Sequence, residues 1–542
     1  MSRISTGRRI AYLIFVPILL SAQILLPWDV PLSTPDFGAT VGPAVTLNFS
    51  RPFGYPGVRI THFSDLTRLN PVNGEPDRLL NPWWFEDSET SQKTLRPDVI
   101  TQPDTLGAKV MIDYKQGDAA FKNFAFTYQN LLSRETAIGW VSENRRHVRF
   151  LDVSDFSQQD HRLEYVTRTK TSNIRIQANY NRLRTPFYTM KFDTLAQTSV
   201  LDPSDNLKWD RYTGIIHAEF VQNANLWQFV LWQQQGFWQW ADSTRNQWNV
   251  LALSRFEREW SSRFRVRVGL GYWQQTLGEW RLRAPLTELH FSSEGPHLNI
   301  ALGMKSVGSS VLPVGNLQWQ QGWFYLGARL ESILQYDLPG ETLNTASGGQ
   351  VFLGVRDSNF SVEVMTWQGL AGLPPRWNST GVTGGETAGW AMKSNWNLPW
   401  QMRLRLGYEE LTEGSADYYT FDQRRLLWGM DQNVFLFNNA LLASLRLWGT
   451  SHFDVRSARF YEETMHLGTP FLLRSEPVHR LNYSIEARIS DVIIAFTDRN
   501  VLQDPVWQDY LGSDWPATYT VAANLPPEDR FRYLTVVWYF TN

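Results

Sequence analysis

The feature that most constrains this chain is a period-two alternation of apolar and polar residues, which recurs from about residue 107 to the end. It is clearest in four segments, 172–182, 264–273, 400–408 and 480–490. Within 264–273, for example, Val266 and Val268 alternate with Arg265 and Arg267. A period of two places successive side chains on opposite faces of a β-strand. The pattern therefore predicts an all-β fold in which each strand has one apolar face.

Alternation alone fits both a soluble β-sandwich and a membrane barrel, and three further features favour the barrel. The segments are about ten residues long, near the ~9–11 residues needed to cross a bilayer, whereas soluble strands average ~5–6. Tight connections near 357–358, 398–399, 438–439 and 490–491 alternate with long ones near 369–385, 410–423, 450–479 and 499–529. Aromatic residues mark segment ends, as in the girdles at membrane interfaces; they are Tyr272, Trp273, Trp396, Trp400, Tyr408, Trp428 and Trp448.

Residues 1–22 have the pattern of a cleaved signal peptide. Arg3, Arg8 and Arg9 precede the apolar run 10–20, and the small residue Ala22 follows it. The run is about half of the ~20 residues that a spanning helix needs, so an uncleaved anchor is the weaker alternative. We find no later apolar run long enough for a spanning helix, so a membrane role would have to use β-strands.

Residues 23–105 form an irregular, proline-rich segment that precedes the predicted barrel, residues 106–542. Its eleven prolines lie between positions 27 and 103, and such density breaks helices and central strands. The segment also contains one short alternation, 44–50, and a bulky Pro-Trp-Trp-Phe cluster at 82–85. We expect it to lie in the periplasm or to constrict the barrel lumen, with one barrel strand from 44–50 as the alternative.

The chain ends in the aromatic, alternating segment 531–542, FRYLTVVWYFTN. This end resembles the C-terminal strand of bacterial outer-membrane β-barrel proteins, although Phe540 lies two residues short of the terminus. The stretch 493–540 is similar to the last hairpin of porins and TonB-receptor-type barrels, but we recognise no plug domain. The resemblance implies the outer membrane of a diderm bacterium, contact with outer-membrane lipid, and reading of strand 531–540 by the barrel-assembly machinery.

The number of alternating segments predicts a transmembrane antiparallel barrel of roughly 18–22 strands, within a range of 16–22. A closed bacterial barrel whose two termini lie on the same side needs an even number of strands. Side chains alone do not fill a barrel of this size, so its interior must be an aqueous channel or be plugged.

Composition and motifs exclude several other classes. The formal net charge of −2 lacks the basic excess of a nucleic-acid binder, and the chain has no cysteine for thiolate chemistry or lipid anchoring. No phosphate-binding G-x-x-x-x-G-K-[ST] loop and no H-E-x-x-H zinc motif occurs. The nine histidines show no ligand spacing. We therefore expect no catalytic residues, metal or cofactor, and no enzymatic activity.

The polar faces of the predicted strands supply the candidate channel-lining residues. They are Arg175, Arg265, Arg267, Arg281, Arg283, Arg403, Arg405, Arg446, Arg480, Arg488, Glu219, Glu363 and Glu486. A ring of fixed cations in an aqueous pore attracts anions. The alternative is that these arginines pair with carboxylates on neighbouring strands and only solvate the lumen.

The sequence thus predicts a porin-like outer-membrane channel for diffusion or selective uptake of small hydrophilic solutes, with an anion preference as one expectation. The alternative is a secreted or periplasmic all-β protein that binds or acts on carbohydrates. The solute and the oligomeric state are not encoded in any motif that we recognise.

Overall fold

The structure of the protein is a computed structural model in which part of the chain is described. The described residues are 44–48, 57–61, 107–118, 122–133, 135–148, 155–193, 198–240, 243–261, 263–277, 280–337, 342–371, 385–411, 424–438, 440–453, 455–461, 466–474, 477–503 and 530–541. The chain divides into two compact units, Met1–Asp36 and Phe37–Asn542. The first unit, and with it the predicted signal peptide, lies outside the described residues.

Within the described residues, 22 antiparallel strands close into a single barrel, which confirms the predicted all-β barrel at the upper end of its predicted size. The strands are β3 Gly107–Gly117, β4 Lys122–Leu131, β5 Thr136–Val148, β6 Asp155–Arg168, β7 Ser172–Asp193, β8 Thr198–Gln222, β9 Asn225–Trp240, β10 Ser243–Ser261, β11 Phe264–Leu277, β12 Trp280–Glu294, β13 Leu298–Val307, β14 Ser310–Gln321, β15 Phe324–Asp337, β16 Thr342–Arg356, β17 Phe360–Ala371, β18 Gly385–Leu398, β19 Met402–Leu411, β20 Arg424–Leu436, β21 Leu441–Phe453, β24 Val478–Ile489, β25 Val492–Arg499 and β26 Phe531–Thr541.

Two short hairpins and one helical turn complete the described elements. Strand β1 (Ala44–Asn48) pairs with β2 (Gly57–Thr61), and β22 (Val455–Tyr461) pairs with β23 (His466–Arg474). A 3-10 helix covers Val501–Gln503. Residues 44–48 of the alternation 44–50 therefore form a strand, but it pairs with β2 outside the barrel, so the alternative in which this stretch supplies a barrel strand is wrong. Pairing with a segment only a few residues away closes a short loop, which costs less chain entropy than insertion into the distant barrel.

The connections divide the barrel into two unlike ends. At the short-turn end, each connection between consecutive barrel strands has two to four residues, and the predicted tight turns all lie there. Several of these turns use left-handed backbone, as at Trp400, Gln401 and Asn438, which matches the twist of tight hairpins. At the long-loop end, the connections include 372–384, 412–423, 454–477 and 500–530.

The last strand closes the barrel against the first. Strand β26 pairs with β3 from Tyr533↔Gly117 to Thr541↔Lys109. At the long-loop end of this seam, Arg532 Nε donates to Asp118 Oδ2 over 3.1 Å. Nearby, Arg530 donates to both carboxylate oxygens of Asp498, and this hydrogen bonding raises the pKa of the Arg530 guanidinium. The aromatic C-terminal segment is thus the strand that completes the cylinder.

Among the described residues, no helix is long and apolar enough to cross a membrane.

Candidate functional site

The two faces of the barrel wall differ sharply in chemistry. On β11, Val268, Leu270 and Tyr272 are 42, 63 and 42% exposed, whereas Trp273 on the other face is 1% exposed. The same alternation recurs on β19 and β24, where Leu404 and Ile485 are exposed. In a closed barrel one face must point outward and the other inward. The exposed apolar face is the outer one, because a soluble protein rarely leaves so large an apolar surface in water.

Aromatic side chains form two bands on this outer face. The lower aromatic belt, near the short-turn end, contains Phe220, Trp227, Trp260, Trp323, Phe324, Phe360, Trp400 and Phe437. The upper aromatic belt, nearer the long-loop end, contains Tyr180, Tyr212, Trp248, Tyr272 and Trp390. Phe220 and Tyr212 lie eight residues apart on β8. At about 3.3 Å per residue and a tilt near 40°, that separation spans ~20 Å of barrel height, close to the apolar band of outer-membrane barrels.

Eleven of the predicted site residues lie on the inner face, as the strand registers show. They are Arg175, Arg265, Arg267, Arg403, Arg405, Arg446, Arg480, Arg488, Glu219, Glu363 and Glu486. A position on this face is a condition for lining the lumen, and the lining role itself stays a prediction.

Arg281 and Arg283 require a correction, because both lie on the outer face. Arg283 pairs in register with Gln274 and Arg281 with Thr276, on the side of β11 that carries Tyr272. The apolar residues of this part of β12, Ala284 and Leu286, face inward and are buried. The polarity of the strand inverts here because this stretch extends beyond the upper aromatic belt, where the outer surface no longer meets hydrocarbon.

One group of charges on the inner wall spans three neighbouring strands. This inner charge cluster consists of Arg255, Glu257, Arg267 and Glu288. Arg255 Nε donates to Glu288 Oε2 over 2.9 Å, and both side chains are almost completely buried. Arg267 lies 2.8 Å from Glu257 and 3.7 Å from Glu288. Two guanidinium groups and two carboxylates therefore compensate one another, as burial of charge requires.

Other inner-wall arginines also have carboxylate partners. Arg175 lies 3.0 Å from Glu164, Arg265 3.3 Å from Glu294, Arg405 2.7 Å from Asp431, and Arg446 3.9 Å from Glu486. These contacts add carboxylates to the inner wall beyond the three predicted glutamates. Glu164, Glu257, Glu288, Glu294 and Asp431 were not predicted as site residues. The alternative that the arginines pair across strands describes the wall better than a ring of free cations.

The two other predicted glutamates also have described partners. Glu363 lies 2.9 Å from Lys393 Nζ and accepts a hydrogen bond from the Tyr325 hydroxyl. Glu219 accepts hydrogen bonds from the amides of Asn173 and Gln228. Both carboxylates are therefore held in fixed positions on the wall by donors from adjacent or next-adjacent strands.

Glycines on intervening strands allow these side chains to meet. Gly269 of β11 lies between Arg255 of β10 and Glu288 of β12, and a Cβ at this position would lie 2.9 Å from Glu288 Oε2. Gly354 of β16 lies in the same way between Tyr325 and Glu363, and a Cβ there would overlap the Tyr325 ring. Each glycine leaves a gap in the inner wall through which a charged or hydroxyl group reaches across a strand.

The inner wall also carries an unexpected apolar area. This inner apolar patch consists of Ile215, Val230, Trp232, Leu251, Leu253, Trp273, Ala284, Leu286, Val307 and Leu312, on strands β8 to β14. Each of these side chains is at most 5% exposed. Trp273 and Trp448, which we expected in the interfacial girdles, are corrected to inner-face positions where both are buried. An open aqueous pore would favour polar side chains at such positions.

Among the described residues, no group of three or more His, Asp or Glu side chains is arranged to hold a metal ion.

Of the comparisons with known proteins, only the one with solved structures finds similar proteins. No protein-family model and no curated protein sequence matches the chain. Among solved structures, it is similar to the FrpB iron transporter from Neisseria meningitidis, with 8% identity, a TM-score of 0.60, and coverage of 80% of this chain and 83% of that one. It is also similar to the siderophore receptor PirA from Acinetobacter baumannii, with 8% identity, a TM-score of 0.59 and coverage of 81% and 82%. It is similar as well to a mutant of the ferric enterobactin receptor PfeA from Pseudomonas aeruginosa, with 9% identity, a TM-score of 0.61 and coverage of 81% of each chain.

Identities this low relate the folds alone. The long closed barrel, its exposed apolar outer face and these similarities agree on one architecture. The soluble sandwich, kept as the alternative from the sequence, does not close into such a barrel. The chain has the fold of an outer-membrane β-barrel of the receptor type, as the resemblance of its C-terminal end implied.

Proposed function

We propose that this protein resides in the outer membrane and takes up a small hydrophilic solute selectively through the barrel lumen. The observation that carries the proposal is the contrast between the apolar outer face and the inner wall, on which charged groups are held in fixed, compensated pairs. Fixed polar groups inside a barrel favour recognition of a particular solute over unselective leakage. Because the similar solved structures are named as iron, siderophore and ferric enterobactin transporters or receptors, a ferric chelate is the first solute class to test.

Charge compensation favours a weak preference between anions and cations. The anion preference expected from the sequence would require many cations without partners, whereas Arg175, Arg267, Arg405 and Arg446 lie close to carboxylates. Arg488, near the short-turn end, would be a source of a modest anion preference at that mouth, whereas Arg403 lies opposite Asp431 in register. We therefore propose that selectivity depends on the arrangement of paired groups rather than on net charge.

A constriction of the lumen by the segment before the barrel remains part of the proposal. Strand β1 contacts β23, which belongs to a connection at the long-loop end, whereas β3 starts at Gly107 at the short-turn end. We propose that the chain between these two ends passes inside the barrel, because lipid disfavours an irregular backbone along the outside. The inner apolar patch supports the same idea, because apolar side chains on a lumen wall favour a contact that excludes water.

We propose that assembly of the barrel depends on its C-terminal strand. Residues 531–540 lie within β26, whose outer face carries Leu534, Trp538 and Phe540. We propose that the barrel-assembly machinery reads this strand before it pairs with β3, and that outer-membrane lipid then surrounds the apolar face. We propose no catalytic activity.

Ion selectivity in a planar bilayer tests whether the inner wall lines the pathway. Asp431→Asn removes the carboxylate beside Arg405 and should shift the reversal potential toward anion selectivity; Arg405→Gln should shift it toward cation selectivity. Arg283→Gln on the outer face is the matched control and should leave the reversal potential unchanged. If neither inner-wall variant changed it while both barrels remained folded, the inner wall would not be the solute pathway.

A further inference from the structure

Five cationic residues on the outer face lie just beyond the upper aromatic belt. This outer cationic rim consists of Arg182, Arg184, Lys208, Arg281 and Arg283. Along β7, Arg182 and Arg184 follow Tyr180 by two and four residues, and along β8 Lys208 lies four residues beyond Tyr212. Arg283 and Arg281 lie opposite residues two and four positions beyond Tyr272. At about 3.3 Å per residue, the five cations lie ~7–13 Å of strand beyond Tyr180, Tyr212 or Tyr272, at the height of lipid headgroups, and Arg281 lies in the register row of Trp248.

Two of these cations face each other directly. Arg184 and Lys208 are register partners on adjacent strands, and both are exposed. Like charges directly opposite each other destabilise a strand pair. The nearest described carboxylate on this face, Asp210, is already engaged by the Tyr180 hydroxyl at 2.9 Å and by Arg182 at 3.6 Å. An anion between Arg184 and Lys208 would remove the repulsion.

The second part of the rim has no acidic register partner among the described residues. Arg281 and Arg283 are exposed and pair with Thr276 and Gln274 on β11, and the next outer-face residues of β12 are Pro285 and Thr287. Arginine presents a planar fork of donors that matches a phosphate group, and exposed cations beside a membrane bind anionic headgroups.

From this arrangement we propose that the outer cationic rim binds the phosphate groups of a glycolipid in the outer leaflet of the membrane. The inference requires the long-loop end to face outside, and it is independent of which solute the barrel carries. The chemistry of the rim fits a lipid rather than a soluble solute, because the cations point away from the lumen and adjoin the aromatic belt that contacts acyl chains. The bound glycolipid would neutralise the rim and fix the height of the barrel in the membrane.

Binding of labelled lipid A to the full chain in detergent micelles tests the proposal, with dephosphorylated lipid A and inorganic phosphate as comparison probes. The test variants are Arg281→Gln with Arg283→Gln, and Arg184→Gln with Lys208→Gln. The control variant, Arg403→Gln with Arg488→Gln, removes the same net charge from the inner face. The electrophoretic mobility shift on heating shows whether each variant is folded.

We expect each outer variant to bind lipid A about tenfold more weakly, since each cation near an anionic surface contributes several-fold. The control variant should bind it like the unchanged chain, and dephosphorylated lipid A should bind weakly to all of them. Folded outer variants that bind lipid A as tightly as the unchanged chain would overturn the proposal. So would competition by millimolar inorganic phosphate, which would indicate a site for a soluble anion, or tight binding of dephosphorylated lipid A.

Discussion

Arg255 on β10 reaches over a whole strand to donate a 2.9 Å hydrogen bond to Glu288 on β12. The strand between them, β11, presents Gly269 at the crossing point, where a Cβ would lie 3.3 Å from Arg255 Cγ and 2.9 Å from Glu288 Oε2. This single contact ties three strands of the inner wall together. Because both charges are buried, the pair depends on a gap that only glycine provides.

Gly269→Val should therefore destabilise the barrel by about 1–3 kcal/mol, because the added side chain separates Arg255 from Glu288 in a crowded wall. Gly214→Val is the matched control, since a Cβ at Gly214 meets nothing within 4 Å on the outer face of β8. Urea unfolding of the refolded barrel in micelles measures both variants. Equal stabilities for the two would show that Gly269 is not required for the crossing contact.

Arginine on the lipid face should be poorly tolerated. Val268→Arg, Leu404→Arg and Ile485→Arg each replace an exposed apolar residue between the aromatic belts, and each should cost about 2–4 kcal/mol near the midplane and less near the interfaces. Arg403→Gln on the inner face is the control and should assemble almost normally. Arg405 is unsuitable for this purpose, because its removal would leave Asp431 without that partner. If the outer-face and inner-face variants assembled equally well in cells, the assignment of the outer and inner faces would be wrong.

The long-loop end should face the outside of the cell. Short periplasmic turns and long external loops are the rule in outer-membrane barrels. A protease site inserted in the connections 454–477 or 500–530 should be cut on intact cells, and a site at 438–439 or 490–491 should be cut only after the outer membrane is permeabilised. The opposite pattern of cleavage would show that the long-loop end faces the periplasm.

Removing residues 30–100 should raise the single-channel conductance and admit larger solutes while the barrel still assembles. The physical reason is that the segment is proposed to occupy part of the lumen between the two ends of the barrel. An assembled deletion variant with unchanged conductance would reject the constriction. The unchanged chain refolded in parallel provides the reference conductance.

Much of the fold could be predicted because the rule that sets the strands is local. On β24, Ile485 and Ile489 are exposed on the outer face and Glu486 lies on the inner face, as the alternation in 480–490 indicates. The same holds for the tight turn at 490–491, where Ser490 adopts left-handed backbone between β24 and β25.

The prediction errors arise where the apolar and polar faces of a strand exchange sides along its length. Beyond the upper aromatic belt the outer surface is wet, so Arg281 and Arg283 face outward while Leu286 and Trp273 pack inside. The carboxylate partners of the inner arginines were missed because each ion pair joins residues that are distant in sequence, on adjacent strands for Arg405–Asp431 and across one strand for Arg255–Glu288. Sequence spacing does not give the register that brings them together.

Labelling of single cysteines along β11 tests the central claim most directly, and the chain offers a clean background because it contains no cysteine. Cysteines placed one at a time at positions 265, 266, 267, 268 and 270 would each carry a fluorophore in the reconstituted barrel. A lipid-phase quencher should reach positions 266, 268 and 270, and a water-soluble quencher should reach 265 and 267, so that the two signals alternate with a period of two. Equal access of the water-soluble quencher to both sets would contradict a membrane-spanning barrel.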